Sequence, residues 1–288
     1  MKRVSVALCG GLGNQCFQFL TVLAYAIKTK RSIVISEESK GMRKQVYWQT
    51  IFAILEKKML PAIDLLYAEH EYLEKTKQFV PLKEAHFAYA PLVEMKETED
   101  VMLFGYFQSH LYFQEIEHLI PSIFSLHAAR YEHLNKMWQE IVLPQKSSEK
   151  VYASMHIRRG DYLNFPQIHP TLSTDYYTTA MSIFPKNTIF VVFSDDYEWC
   201  RQTWSTENNI IFAPKTLSDI DTFHFMMYFC LQGHIIANSS FSWWAAYVDW
   251  LNSGKKQIVV APETWFGPKG PQTHSLHVPG WIIVQDKT

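Results

Sequence analysis

Residues 151–163 read VYASMHIRRGDYL, and the change from apolar to charged is complete within a few positions. Val151 to Met155 has the composition of a buried strand, yet His156, Arg158, Arg159 and Asp161 follow at once. A surface turn with Arg159 and Asp161 paired in solvent would account for the charge, and so would a chance Arg-Gly-Asp tripeptide. An anion site at a strand end accounts for it as well, and the surrounding pattern tells these apart.

Downstream, strands are expected at 151–157, 188–193, 210–212, 234–237 and 257–260, with helices near 174–184, 197–204, 218–231 and 241–252. Ser218 with Asp221 supplies a capping box for the third of these helices. Regular alternation of strand and helix over this length implies a parallel sheet covered on both faces. Such sheets bind ligands outside the carboxyl ends of their strands, where the strand order reverses. With the common order 3-2-1-4-5, that crevice lies between the first and fourth strands of this half. The first strand ends in His156-Ile157-Arg158-Arg159-Gly160-Asp161 and the fourth in Asn238-Ser239-Ser240-Phe241, so two polar motifs flank it. Ser194-Asp195-Asp196 follows the neighbouring second strand.

Upstream, Val4 to Leu8 reads as a strand and a glycine turn follows. Phe17, Leu20, Ala24 and Ile27 then recur at helical spacing before a second strand at Ile33-Val34-Ile35, a βαβ opening. Residues 46–60 and 63–79 have a helical pattern with weak caps, 101–107 reads as a strand, and 110–142 as two helices split near Pro121. The polar stretch LPQKSSEK at 143–150 is the linker candidate, giving an N-terminal domain over 1–147 and a C-terminal one over 148–288.

Composition narrows the function classes. A chain of 288 residues, 48% hydrophobic, can bury a large core. With Lys+Arg 27 against Asp+Glu 28 there is no global polycation for nucleic acid or a membrane surface, so any anion is met locally. The nine Trp suit a core as well as stacking on a base or sugar. Cys9, Cys16, Cys200 and Cys230 form no CxxC pair, which signals neither zinc nor a disulfide framework and fits a reducing cytoplasm. The N-terminal apolar run is short and ends in glycines, so a strand is expected there rather than a signal peptide, and no segment reaches the about 20 apolar residues of a membrane span.

Side-chain alternation along a strand puts His156 and Arg158 on one face and Arg159 on the other. Arg158 is therefore the better phosphate ligand and Arg159 the better structural partner, for Asp161 among others. A guanidinium fork matches phosphate oxygens, and Ser239 and Ser240 stand where a helix begins, with free N–H groups suited to an anion. Ser240 would equally serve as a plain N-cap. Asp195 is expected to meet a base edge or ribose rather than a metal. The literal Asp219-Ile220-Asp221 falls in the first turn of a helix, where carboxylates are favoured. GGLGNQCFQF at 10–19 resembles a dinucleotide fingerprint but has Cys16 where a third glycine is required. What remains is a tight turn carrying Gly11, Gly13 and Asn14.

Together GGLGNQCFQF, HIRRGDY, FSDD and IIANSSFSWWAA, with FGYFQS at 104–109 and VVAPETWF at 259–266, resemble the α-1,2-fucosyltransferase family. The resemblance implies an α/β chain of GT-B architecture, two Rossmann-like domains facing a cleft, with the donor held mainly by the C-terminal one. It implies inverting, metal-independent transfer from GDP-fucose to the 2-OH of a terminal galactose, with no cofactor and no nucleic acid. The acceptor would be a galactose-terminated glycan, with peripheral membrane association if that glycan is lipid-linked. Arg158 matches the arginine that grips the β-phosphate. His156, Asp195, Ser239, Ser240 and Phe241 fall on positions expected to contact GDP, with Asn238, Gly11 and Gly13 beside them. Asn14 would orient acceptor or fucose, and Asp161 is open between general base and a salt bridge positioning Arg158 or Arg159. Cys16, where Met is usual, and the bulky helix DTFHFMMYFC at 221–230 depart from the family pattern. The rival functions are a fucosyltransferase of other linkage, a related sugar transfer from another GDP-sugar, and a GDP-sugar-binding protein without turnover.

Overall fold

The computed structural model describes residues 2–36, 47, 65–68, 79–142, 149–271 and 275–287. Two compact units emerge, Met1–Ser125 with Gln272–Leu276 and Leu126–Pro271 with His277–Thr288.

The first unit holds strands β1 (Arg3–Val6), β2 (Ser32–Ser36), β3 (Leu65–Ala68), β4 (Phe79–Lys83) and β5 (Asp100–Phe104) in the order β3-β2-β1-β5-β4, with every pairing parallel. Helix α1 (Leu12–Thr29) follows β1, and Lys30 ends it in the left-handed conformation at φ 53°. Nearly all of Leu12 to Ala26 is buried, so α1 is a central helix rather than a one-sided surface one. Ile27, last of the expected apolar repeat, is instead exposed. Residues 65–68 lie in a stretch with helical pattern, but pairing with β2 makes them a strand, an override of local preference by sheet context. The rest of the two helical candidates at 46–60 and 63–79, Tyr47 and Phe79 apart, lies outside the described residues. Pro121 does not split the next region. It sits in the first turn of a short helix, Ile120–Ile123, where its missing N–H costs nothing, and the break comes before helix α2 (Ala128–Val142).

The expected linker falls largely on 143–148, outside the described residues, and the 147/148 boundary falls there too. Helix α2 is grouped in the second unit, where Trp138 packs edge-on to Tyr152 at 5.6 Å and against Phe225 and Phe229.

The second unit holds β6 (Val151–Ile157), α3 (Thr174–Met181), β7 (Thr188–Ser194), α4 (Tyr197–Trp204), β8 (Ile210–Phe212), α5 (Asp219–Phe229), β9 (Gly233–Ile235), α6 (Ser240–Asn252), β10 (Ile258–Pro262) and β11 (Ile282–Val284). Their order is β11-β10-β9-β6-β7-β8, all parallel, which is 3-2-1-4-5-6 counted within the unit. The expected reversal beside the first strand is present, and a sixth strand extends the sheet. Pleating divides β6 between the two faces. Ala153, Met155 and Ile157 enter the core with Tyr176, Tyr177, Cys200 and Trp204 of α3 and α4. Tyr152, Ser154 and His156 look the other way, toward α2, β9 and α6. Both faces are thus covered, as a parallel sheet requires.

Candidate active site

Helices, register and close packing together set the Arg158 environment. Parallel pairing brings Ile157 level with Ser194, so the residues after β6 meet those after β7. Arg158 Nη1 lies 2.9 Å from Asp195 Oδ2 and Nη2 lies 2.5 Å from Asp161 Oδ1. The guanidinium also lies over the Tyr162 ring, 5.3 Å from its centroid. Arg159 turns elsewhere: Nε donates to Asp196 Oδ2 at 3.0 Å, the backbone N–H donates to Asp195 Oδ1 at 2.9 Å, and the guanidinium lies 4.0 Å from the centre of Trp199. The two arginines divide as strand alternation predicts, and of the two pairs expected for Asp161 the one with Arg158 forms, not the one with Arg159. Asp161 braces Arg158, and Asp196, which also caps α4 through the Trp199 N–H, braces Arg159.

Gly160 lets this packing stay close. A Cβ there would sit 2.5 Å from Asp195 Oδ2, so a side chain would push the carboxylate off Arg158.

Across the reversal point stands the head of α6. Ser239, not Ser240, is the N-cap, with extended backbone and no capping bond from its side chain. Asn238 is buried, and its Nδ2 donates to the carbonyls of Pro170 at 2.9 Å and Trp265 at 3.0 Å. Its Oδ1 has no hydrogen-bond partner among the described residues. Phe241 packs on His156 with ring centres 5.5 Å apart. Burial, with help from the Arg158 charge, pushes the His156 imidazole down to about 3, so it is neutral near pH 7. A neutral ring there adds no second cation to the arginine site.

Tyr162 and His169 belong to the same cluster although the sequence drew no attention to them. Tyr162 donates its hydroxyl to the Asn238 carbonyl at 3.1 Å and stacks on His169 at 4.7 Å. The signal was present in the aromatic directly after Arg-Gly-Asp, but its partner is 76 residues away. The acidic pair Asp219 and Asp221 lies apart from this site: Ser218 caps α5, accepting from the Asp221 N–H, and Asp221 pairs with Arg130. Asp195 and Asp196 are each engaged by an arginine, and among the described residues no three His, Cys, Asp or Glu side chains converge as a metal site.

In the first unit the reversal of strand order falls between β1 and β5, and the glycine motif sits there. Gly10 has φ +78°, and a Cβ at that position would come within 2.2 Å of Asn14 Nδ2. Gly11 is the N-cap of α1, while Gly13 lies within the helix and is buried. Asn14 Oδ1 accepts from Gln108 Nε2 at 2.7 Å, and Gln18 Nε2 donates to the Gly105 carbonyl at 2.9 Å, so FGYFQS is tied to the glycine turn. Glu84, which the sequence did not single out, accepts the N–H groups of Tyr106 and Phe107 at 2.9 and 3.0 Å, and burial raises its carboxyl above the usual range. Asn14, Gly11 and Gly13 thus gather at one unit's switch point. His156, Arg158, Asp161, Asp195, Asn238, Ser239, Ser240 and Phe241 gather at the other's.

Known proteins resemble this chain in sequence and in fold. The family model described as Glycosyl transferase family 11 matches residues 2–285. The O-antigen biosynthesis glycosyltransferase WbnK of Escherichia coli is 26% identical, with 96% of this chain and 98% of that protein aligned. An alpha-1,2-colitosyltransferase of Escherichia coli is 27% identical over 92% of this chain and 93% of that one. Among solved structures, NodZ alpha-1,6-fucosyltransferase co-crystallized with GDP superposes with TM-score 0.52 at 14% identity, covering 85% of this chain and 92% of that chain. That likeness supports the fold, two Rossmann-like units of the GT-B class. With the motifs, the sheet order and a match running almost end to end in agreement, the chain belongs to Glycosyl transferase family 11, the α-1,2-fucosyltransferase family.

Proposed function

We propose that this chain transfers fucose from GDP-fucose to the 2-OH of a terminal galactose, with inversion and without a metal. The observation that carries this is the Arg158 guanidinium, braced by Asp161 and Asp195 at the end of β6 beside the head of α6. It offers a fixed cation and helix N–H groups to one pyrophosphate. In the reaction, galactose O2 bonds to the fucose anomeric carbon as the bond from that carbon to the β-phosphate oxygen breaks, and GDP leaves. Negative charge grows on the β-phosphate, where Arg158, Ser239 and Ser240 stabilise it more in the transition state than before it. His156, Phe241 and Asn238 line the donor side, and Asp195 acts by holding Arg158 rather than by binding the nucleoside. The acceptor proton leaves late, to water, as O2 gains bonding to an electron-poor carbon. Asp161, already bound to Arg158, is a brace in this scheme.

Replacing Arg158 with Ala is expected to lower kcat by about 10²–10³, the usual cost of one donor to a developing anion, while a chelator leaves the native rate unchanged. A near-native Arg158→Ala rate, or loss of activity with chelator that Mg²⁺ restores, would overturn the scheme. The colitosyltransferase relative favours one second reading, a donor whose sugar is fucose without its 3-hydroxyl. Competition between GDP-fucose and its 3-deoxy counterpart separates the two, and release of fucose from GDP-fucose without acceptor separates both from a binding protein that does not turn over.

A further inference from the structure

Arg158 reaches Ser239 and Ser240 through Tyr162. The Tyr162 ring lies under the Arg158 guanidinium, and its hydroxyl donates to the carbonyl of Asn238, the residue before the N-cap of α6. Asn238 then closes the circuit by donating Nδ2 to Pro170, at the far end of the same loop. His169, next to that proline, stacks on the Tyr162 ring with planes 21° apart. The loop after β6 is thus fastened at two points to one residue, and Arg158 rides on the ring between them. Burial supports this chemistry. It holds the Tyr162 hydroxyl up at about 12, so the group remains a hydrogen-bond donor, and it holds His169 below the usual imidazole value.

We infer that Tyr162 is a positioning residue, whose ring orients the Arg158 guanidinium and whose hydroxyl locks that ring to the head of α6, so that the two halves of the anion site keep one geometry. The inference rests on Arg158 being the pyrophosphate ligand. A cation over an aromatic ring and one part-buried hydrogen bond each correspond to roughly 2- to 10-fold in a binding constant.

The test is a double-mutant cycle on GDP affinity and kcat, with Tyr162→Leu, Tyr162→Phe, Arg158→Ala and the double variants, each checked for an unchanged melting temperature. Tyr162→Leu is expected to weaken GDP binding about 10-fold or more and to lower kcat, and Tyr162→Phe, which keeps the ring, to weaken it about 5-fold. In the Arg158→Ala background both Tyr162 substitutions should have little further effect. Additive losses would mean that Tyr162 acts independently of Arg158, and native-like Tyr162→Leu binding would remove it from the site. Either result overturns the inference while leaving the Arg158 assignment intact. Native-like GDP binding by Arg158→Ala alone would instead overturn that assignment and the inference with it. Should Tyr162→Leu fail to fold, the Tyr162→Phe arm of the cycle decides the same question.

Discussion

The Arg158 guanidinium touches two carboxylates and one aromatic ring, and of these Asp195 is itself held by the Arg159 N–H and Tyr162 by the Asn238 carbonyl. Strand alternation let the sequence separate Arg158 from Arg159, because the period of two is a property of the backbone. It did not reveal which acid serves which arginine, since that depends on the level at which β7 lies beside β6, a register no local pattern encodes. Gly160 was legible only as part of a tripeptide, yet the structure gives it a distinct role. Gly160→Ala should displace Asp195, loosen Arg158 and lower kcat at least about 10-fold with a modest change in stability. The expected rate follows from misplacing a charge-assisted contact used in the transition state. Turnover and denaturant midpoints of the purified variant check this, and a native rate would show that Asp195 does not hold Arg158.

Elements β6, β9 and α6 meet behind the site in a buried chain of polar groups. Ser154 on β6 lies 2.8 Å from His234 Nδ1 on β9, and His234 Nε2 lies 2.9 Å from Asp249 Oδ2 on α6. A carboxylate only accepts, so Nε2 donates to Asp249, and Nδ1 shares a hydrogen bond with the serine hydroxyl. His234→Leu would leave Asp249 buried without this partner and should cost about 3–5 kcal/mol, whereas Ser154→Ala should cost about 1 kcal/mol. Urea unfolding measures both, and equal small losses would contradict this account. A second effect comes from His156 and from His224 on α5. Burial is the main cause in each, holding His156 at about 3 and His224 at about 4. Unfolding returns them to roughly 6.5. The unfolded chain therefore binds more protons below that pH, so stability falls as pH drops from about 6.5 toward 4, by up to about 1.4 kcal/mol per pH unit for each ring. His224→Gln should remove one ring's share of that slope in unfolding midpoints taken between pH 7 and 4.5, and an unchanged slope would contradict its burial as a neutral group. The strands of this half were legible because each is a short apolar run followed by polar residues. Strand β11 was not, since it is only three residues long and Ile282 and Ile283, both partly exposed, read as part of a tail.

At the scale of the whole molecule, each unit places its polar motif where its own strand order reverses, β1 with β5 in one and β6 with β9 in the other. The alternation of strands and helices foretold this for the second unit, including the neighbours of the first strand. The first unit was harder to read because its middle strands are separated by long stretches whose helical periodicity competes with sheet pairing. Glu84 and Gln108 escaped notice there for the same reason that Tyr162 did: their significance lies in partners distant in sequence. The chain's membership of Glycosyl transferase family 11 leaves the donor sugar, the acceptor and the linkage to be measured. The most direct measurement is an NMR analysis of the product made from GDP-fucose and a terminal β-galactoside. The account predicts a single α-linked fucose on galactose O2, formed with inversion, in native protein and in the presence of chelator. Fucose on another hydroxyl, a retained anomeric configuration, or no transfer to any galactoside despite GDP binding would contradict it.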